Sequence, residues 1–427
     1  MTDIYELRKQ ASSLRKSGDY QAAGKLFQEI LQNSVDPNEW DLWGMLFCLN
    51  KLKRYNDAYK FGLKYIQKLL DFEMFVSQFI FASFMANIKP YSNKTADKLI
   101  TYTEEILSAG RNYQDTLFRN KTLLFVIEFF ENQGDYESLL NWSEFIDPQN
   151  LSAQSEKFEY NGKSVVKNSD REKYYLKVAK AMAKSGNFSK GCNFILEGMK
   201  QFPENIWLKW HYAVCVMNKG DHDTGIDLLR EVTVVKREWF TLKSLAEAYM
   251  QKNKPERALK IAVEACFHSK NIPNPEFRWE LYKITGELFL GNGDEELYFK
   301  HLSLCCHIRE DVGWSLPEEI EAIIDEKGIV FSKDQSTEEE LNELAEYWKN
   351  YLSENEEVFS GKIKTLLNEG KAGFISSDEG ADYYFNSRDF QNEKNKLKPG
   401  NPIKFVLKES YDRKKKRLSK IAISPYI

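Results

Sequence analysis

Residues 169–203 read SDREKYYLKVAKAMAKSGNFSKGCNFILEGMKQFP, and the fold is decided in this stretch. Tyr175, Ala179 and Met182 recur at helical spacing and share one face of a first helix. Gly186, Asn187 and Phe188 make the turn, Gly191 and Ile195 lie on a second helix, and Pro203 closes it. The pattern returns about 34 residues later in Ala213, Val216, Gly220, Asp221, Gly225 and Leu229. A third copy carries Ala246, Tyr249, Ala258 and Ala262. A fourth, delayed by an inserted loop at 271–275, carries Tyr282, Gly286, Phe289 and Gly293. Toward the N-terminus, Leu7, Ala11, Leu14, Gly18, Asp19, Tyr20, Ala23 and Phe27 form a clear copy. Leu42, Leu46, Leu49, Tyr55 and Ala58 form a weaker one, and Ala96 and Gly134-Asp135-Tyr136 mark two degenerate copies between.

Small residues at these slots let the two helices of a hairpin approach closely, and bulky ones fill the space around them. One hairpin cannot bury its apolar face alone, so copies stack into a superhelix. The order of bulky residue, small residue, Gly turn and closing Pro resembles the tetratricopeptide repeat, although Pro255 stands where that family usually has Tyr or Phe. The resemblance implies an all-α solenoid over 1–315 whose first helices line a groove for a protein or peptide partner. By repeat phase, Lys173, Lys177, Lys180, Trp207, Trp210, His211, Phe240 and Lys243 line that groove. Aromatic anchors beside lysines suit an acidic or extended peptide. Residues 316–357 read as a helical cap and connector. One helix is expected over 317–326 and another over 336–353, the latter with a stripe of Leu341, Leu344, Tyr347, Trp348 and Leu352.

The period changes at Val358. Short period-two runs follow at 361–366, 372–376, 382–385, 402–408 and 417–424, separated by Gly, Asn and Asp turns. Five strands in so short a segment fit a small closed barrel, which leaves no exposed sheet edge. Gly361-Lys362-Ile363-Lys364, Gly370-Lys371-Ala372-Gly373-Phe374-Ile375, Asp382-Tyr383-Tyr384-Phe385 and Leu397-Lys398-Pro399-Gly400-Asn401-Pro402-Ile403-Lys404-Phe405 follow one another in the order of the cold-shock motifs. Segment 358–427 thus resembles the cold-shock domain, an OB-fold. The resemblance implies single-stranded RNA or DNA as ligand, RNA before DNA, with bases stacked on Phe374 and Tyr384 beside Lys364 and Lys371. Thr365 stands where the family has Trp, Ala372 replaces a Phe, and Asn386 and Ser387 replace a His and a Phe. Each stacked base contributes roughly 1–3 kcal/mol, so binding is expected to be weak.

Charge points the same way. Segment 358–427 holds 15 Lys and Arg against 8 Asp and Glu, a net of +7 within a chain whose net charge is −4. Arg413, Lys414, Lys415, Lys416 and Arg417 cluster at the last expected hairpin, where they suit phosphate contact. A solvated turn that blunts an edge strand is the alternative. Hydrophobic residues make up 42% of the chain, enough for a core, so disorder is not expected. Residues 1–10 lack the apolar stretch of a signal peptide, and the apolar run at 72–88 is interrupted by polar residues, so a buried helix in a cytoplasmic protein is expected there rather than a membrane span. The six cysteines form no CxxC pair and read as free thiols in a reducing compartment. His301, Cys305, Cys306 and His307 lack a second ligand pair and read as core, so no metal or cofactor is expected. No phosphate loop, nucleophile elbow or HExxH occurs, so a non-catalytic adaptor is expected. A pure protein scaffold with a degenerate barrel, or an accessory subunit of a nucleic-acid processing or defence complex, are the rival readings.

Overall fold

The computed structural model describes residues 3–34, 37–90, 95–111, 117–160, 162–327, 336–412 and 417–425. Two compact units emerge, Met1–Phe194 and Ile195–Ile427.

The first unit contains α1 (Ile4–Ser17), α2 (Tyr20–Asn33), α3 (Glu39–Lys51), α4 (Tyr55–Tyr65), α5 (Glu73–Ser83), α6 (Ala96–Ala109), α7 (Leu117–Gln133), α8 (Tyr136–Ser143) and α9 (Asp170–Lys184). A β-hairpin of β1 (Glu156–Tyr160) and β2 (Lys163–Lys167) precedes α9. Helix α10 (Phe188–Gln201) carries the division between the units. The second unit continues with α11 (Ile206–Asn218), α12 (His222–Val235), α13 (Trp239–Gln251), α14 (Pro255–Ser269), α15 (Trp279–Gly291), α16 (Glu295–Asp311), α17 (Glu318–Lys327) and α18 (Thr337–Glu354). The expected helical hairpins are therefore present, packed α1 on α2, α11 on α12, α13 on α14 and α15 on α16.

One local device recurs at four of the turns. Gly18, Gly134, Gly220 and Gly293 adopt left-handed backbone, with φ of +91°, +72°, +95° and +86°. Glycine reaches this region without a Cβ penalty and so ends the first helix cleanly. The Asp that follows each glycine then caps the second helix. Asp19, Asp135, Asp221 and Asp294 accept the amide N–H groups of Ala22, Ser138, Thr224 and Leu297 at 3.0–3.2 Å. In two hairpins without this Gly, α3–α4 and α13–α14, Lys53 and Asn253 take the positive φ instead. Pro255 is then the first residue of α14, where its fixed φ fits and no hydrogen bond is lost.

The small residues occupy the tight helix crossings. Ala11, Ala23, Ala179, Ala213, Ala246, Ala258 and Ala262 are fully buried. A Cβ on Gly286 would come within 2.8 Å of the His301 Cβ, so this glycine sets how closely α15 and α16 approach. The apolar run at 72–88 forms α5 and a π-helical turn, Phe84–Ile88, with Phe75, Val76, Phe79 and Ile80 buried. The inserted loop at 271–275 is closed by buried Arg278, which donates to the carbonyls of Ile272 at 2.6 Å and Pro273 at 3.3 Å and to the Tyr282 hydroxyl at 3.0 Å. Those acceptors replace the water that a buried guanidinium loses. Helix α18 opens with a capping box between Ser336 and Glu339, and packs on α14 and α16. Its Trp348 is fully buried and stacks on Tyr282 with centroids 5.9 Å apart.

Helix gives way to strand between Glu354 and Val358. The five expected strands are β3 (Val358–Leu367), β4 (Ala372–Ser377), β5 (Asp382–Asn386), β6 (Pro402–Asp412) and β7 (Arg417–Ile423). They hydrogen-bond in the order β3-β4-β5-β7-β6, and β3 also pairs with β6, so the sheet closes on itself. All pairs are antiparallel except β5 with β7. Ile363, Ile375, Phe385, Phe390, Ile403, Phe405 and Ala422 fill the interior. The β1–β2 hairpin lies beyond the elements expected from the sequence. Its strands read EKFEY and KSVVK, too charged and too short to stand out beside the helical periods.

Candidate functional site

The aromatic pair expected on the barrel is brought together. Phe374 on β4 lies directly opposite Tyr384 on β5, with ring centroids 5.8 Å apart and planes at 74°. Strand alternation sends Ile375 and Phe385 inward and these two rings outward. Phe374 is half-buried and Tyr384 is 38% exposed. Thr365, exposed on β3, completes the row opposite Phe374, just after a bulge between Ile363 and Thr365. Ala372 is buried. Lys371 is exposed at the start of β4, and its carbonyl accepts the amide of Ser387.

Lys364 is exposed and paired with Asp382. The Lys364 hydrogen bond, with a second from Ser376, holds the Asp382 carboxyl below its ordinary range. That carboxylate cancels part of the positive charge beside the rings. Arg417 is exposed at the start of β7, and Ile421 of that strand pairs with Tyr384. Arg417 therefore lies about 13 Å along the strand from the aromatic pair. Arg413, Lys414, Lys415 and Lys416 lie outside the described residues.

The expected groove residues fall in both units. In the first, Lys177 and Lys180 converge on Glu131 of α7 at 2.5 and 2.9 Å, and Lys173 pairs with Asp170 at 3.1 Å. Burial raises the Glu131 pKa, but the two lysines outweigh it and the carboxyl ends below its ordinary range. In the second unit, Trp207, Trp210 and Phe240 form a half-buried cluster across α11 and α13. Phe240 lies 5.5 Å from Trp207 and 5.3 Å from Trp210. The Trp210 indole donates to Ser244 Oγ at 3.2 Å, and His211 is buried beneath it at 4.8 Å between centroids. Lys243 bridges Glu247 at 3.0 Å and Glu280 at 2.8 Å. The Trp207, Trp210 and Phe240 rings thus remain partly exposed, while the Lys243 charge is met by two carboxylates.

A junction fastens the barrel to the helices of the second unit. Strand β6 rests on α12, where Arg230 pairs with Glu409. Lys260 of α14 donates to the Asn355 carbonyl at 2.7 Å. Between them lies a cavity of about 210 Å³ lined by Arg237, Glu264, Leu352, Phe359 and Lys408 among others. Arg237 Nε donates to Glu264 at 2.7 Å. Burial raises the Glu264 pKa, but the His268 hydrogen bond and the Arg237 charge together bring it down to about 2. Burial, with Arg237 nearby, lowers the Lys408 pKa. The available signal was the run Phe405-Val406. Two consecutive buried residues in a strand mean that both of its faces are covered.

His301, Cys305, Cys306 and His307 serve the core. His301 contacts the Leu297 carbonyl and Trp348, His307 Nδ1 lies 2.9 Å from Glu340, and Cys305 Sγ lies 3.4 Å from the Trp279 carbonyl. All six cysteines are free and buried. Among the described residues no cluster suited to a metal ion occurs, and no helix is long and apolar enough to cross a membrane.

A domain of unknown function, DUF7017, matches residues 206–347. No curated protein matches the chain. Among solved structures, MamA from Desulfovibrio magneticus RS-1 is similar at 12% identity, over 45% of this chain and 96% of that one, with a TM-score of 0.32. A kinesin light chain with TPR-like repeats from Podospora anserina is similar at 13% identity, over 47% of this chain and 99% of that one, with a TM-score of 0.36. The Cut9–Hcn1 hetero-tetramer of the APC/C is similar at 12% identity, over 75% of this chain and 58% of that one, with a TM-score of 0.38. At such scores these likenesses carry no weight for function; the helix pairing described above is what establishes the repeat array.

Proposed function

We propose that the protein is a non-catalytic adaptor. Its tetratricopeptide-like repeats take a protein or peptide partner, and its cold-shock-like OB barrel makes weak contact with single-stranded nucleic acid, RNA in preference to DNA. The supporting observation is that the Trp207–Trp210–Phe240 cluster and the Phe374–Tyr384 pair belong to one compact unit, whose barrel is fastened to its helices through Arg230 and Glu409. A ligand held at one surface raises the effective concentration of a second at the other, so a weak barrel suffices.

Two stacking rings contribute on the order of 2–6 kcal/mol, which alone gives dissociation constants no tighter than tens of micromolar. Lys364, Lys371 and Arg417, with Arg413 to Lys416 of the same segment, supply phosphate contacts that weaken as salt rises. The test is fluorescence anisotropy of labelled oligo-U and oligo-dT with the full chain, at low and physiological salt. Binding that is tighter at low salt and stronger for oligo-U supports the adaptor. Absence of binding at low salt leaves the second reading, a pure protein scaffold. That reading is favoured by the Lys364–Asp382 pair, which spends a barrel cation on an internal carboxylate.

A further inference from the structure

The β1–β2 hairpin stands apart from the helices around it. Every described side chain from Ser152 to Glu159 and from Ser164 to Asn168 is exposed. Phe158, Val165 and Val166 are 46%, 37% and 55% exposed. A two-stranded ribbon without a covering layer is marginal in water. Its outer edges also present unpaired backbone donors and acceptors, a template for another strand. Among the described residues, β1 pairs only with β2.

The two edges differ in what they accept. We propose that the β1 edge is the seam of a symmetric dimer, in which two copies of this chain join their hairpins into one four-stranded antiparallel sheet. With Phe158 of one copy opposite Phe158 of the other, Lys157 falls opposite Glu159 on both sides of the axis. The strand EKFEY is thus complementary to itself in the antiparallel sense, as a two-fold interface requires. Moving the axis to Lys157 or to Glu159 sets identical charges opposite each other, and moving it halfway toward Lys157 sets Glu156 against Glu159. Charge therefore disfavours these three registers, and the remaining half-step, toward Glu159, sets Phe158 against Glu159 and loses the Phe158–Phe158 pair. The β2 edge behaves oppositely, because an axis at Val165 sets position 163 against position 167, both Lys.

The same register builds an apolar row. Phe158 pairs with Val165 inside the hairpin, so the joined sheet runs Val165, Phe158, Phe158, Val165 across its four strands on one face. Cross-strand pairs of this kind are the stabilising unit of a sheet. The occupant is a second copy rather than a foreign strand because both the charges and the apolar row are completed by β1 itself.

The experiment is sedimentation velocity of the full chain across a concentration series. Dimerisation that strengthens with concentration is expected. Lys157→Glu and Glu159→Lys each set like charges opposite and should each raise the dimer dissociation constant about 10-fold or more. The double reversal, and an equimolar mixture of the two single variants, should each restore association, since both re-create the opposite-charge pairs. These positions are exposed, so circular dichroism should show all variants folded. A chain that stays monomeric at every concentration, or a dimer indifferent to both single reversals, overturns the proposal.

Discussion

Trp348 of α18 donates its indole N–H to Nε2 of His301 on α16 at 3.0 Å, and Nδ1 of the same imidazole lies 2.7 Å from the Leu297 carbonyl. The Trp348 contact requires an unprotonated Nε2 and the Leu297 contact a proton on Nδ1, so together they require the neutral Nδ1–H tautomer. Burial lowers the His301 pKa to about 4, against the smaller raising effects of the Leu297 carbonyl and Asp294. The folded pKa is below the unfolded one, so the neutral form's contribution is complete above about pH 6.5 and is lost as pH falls toward 4. Urea unfolding should show stability declining through this window by up to about 3 kcal/mol from this group. The gap between wild type and His301→Gln should shrink as pH falls; a gap constant from pH 7.5 to 4.5 would contradict the assignment.

Arg230 and Glu409 tie α12 to β6 at the barrel junction. Both side chains are about one-third exposed, so the pair is worth only about 0.5–1 kcal/mol. A double-mutant cycle with Arg230→Ala and Glu409→Ala should return a coupling of that size, smaller at high salt. Limited proteolysis should cut faster at 354–358 in either variant.

Asp382 draws charge away from the aromatic face through Lys364. Asp382→Asn should release Lys364 to the phosphates, tightening oligo-U binding about 3-fold and steepening the salt dependence by about one ion. Anisotropy titrations at several salt concentrations measure both quantities. Unchanged affinity and slope would place the nucleic acid elsewhere.

Thr365 sits exposed in the same cross-strand row as Phe374 and Tyr384. Thr365→Trp should add a third stacking face and strengthen binding by about 10-fold. Phe374→Ala should weaken it by a similar factor. Opposite signs for these two variants are expected only if bases stack on this row.

Much of this architecture was legible because it follows from local chemistry. Gly18-Asp19, Gly134-Asp135 and Gly220-Asp221 announce helix turns, since one residue ends a helix and the next begins one. The barrel strands were legible from alternation, as with Ile375 and Phe385 inward against Phe374 and Tyr384 outward. What stayed hidden depends on contacts between distant segments. Lys177 and Lys180 read as free cations until Glu131, far back in the chain, is brought beside them. The Arg230–Glu409 contact joins residues separated by most of the second unit, and no local period encodes it. The β1–β2 hairpin gives no such signal because a surface ribbon carries no core face, and a core face is what periodicity reports.

The most direct test of the adaptor reading is to locate a bound strand on the protein. Oligo-U carrying 4-thiouridine would be photocrosslinked to the full chain at low salt and the adducts mapped by mass spectrometry. Adducts are expected on the peptides holding Phe374 and Tyr384, lost in the Phe374→Ala, Tyr384→Ala double variant. Adducts confined to the helical repeats, or undiminished in that variant, would contradict it.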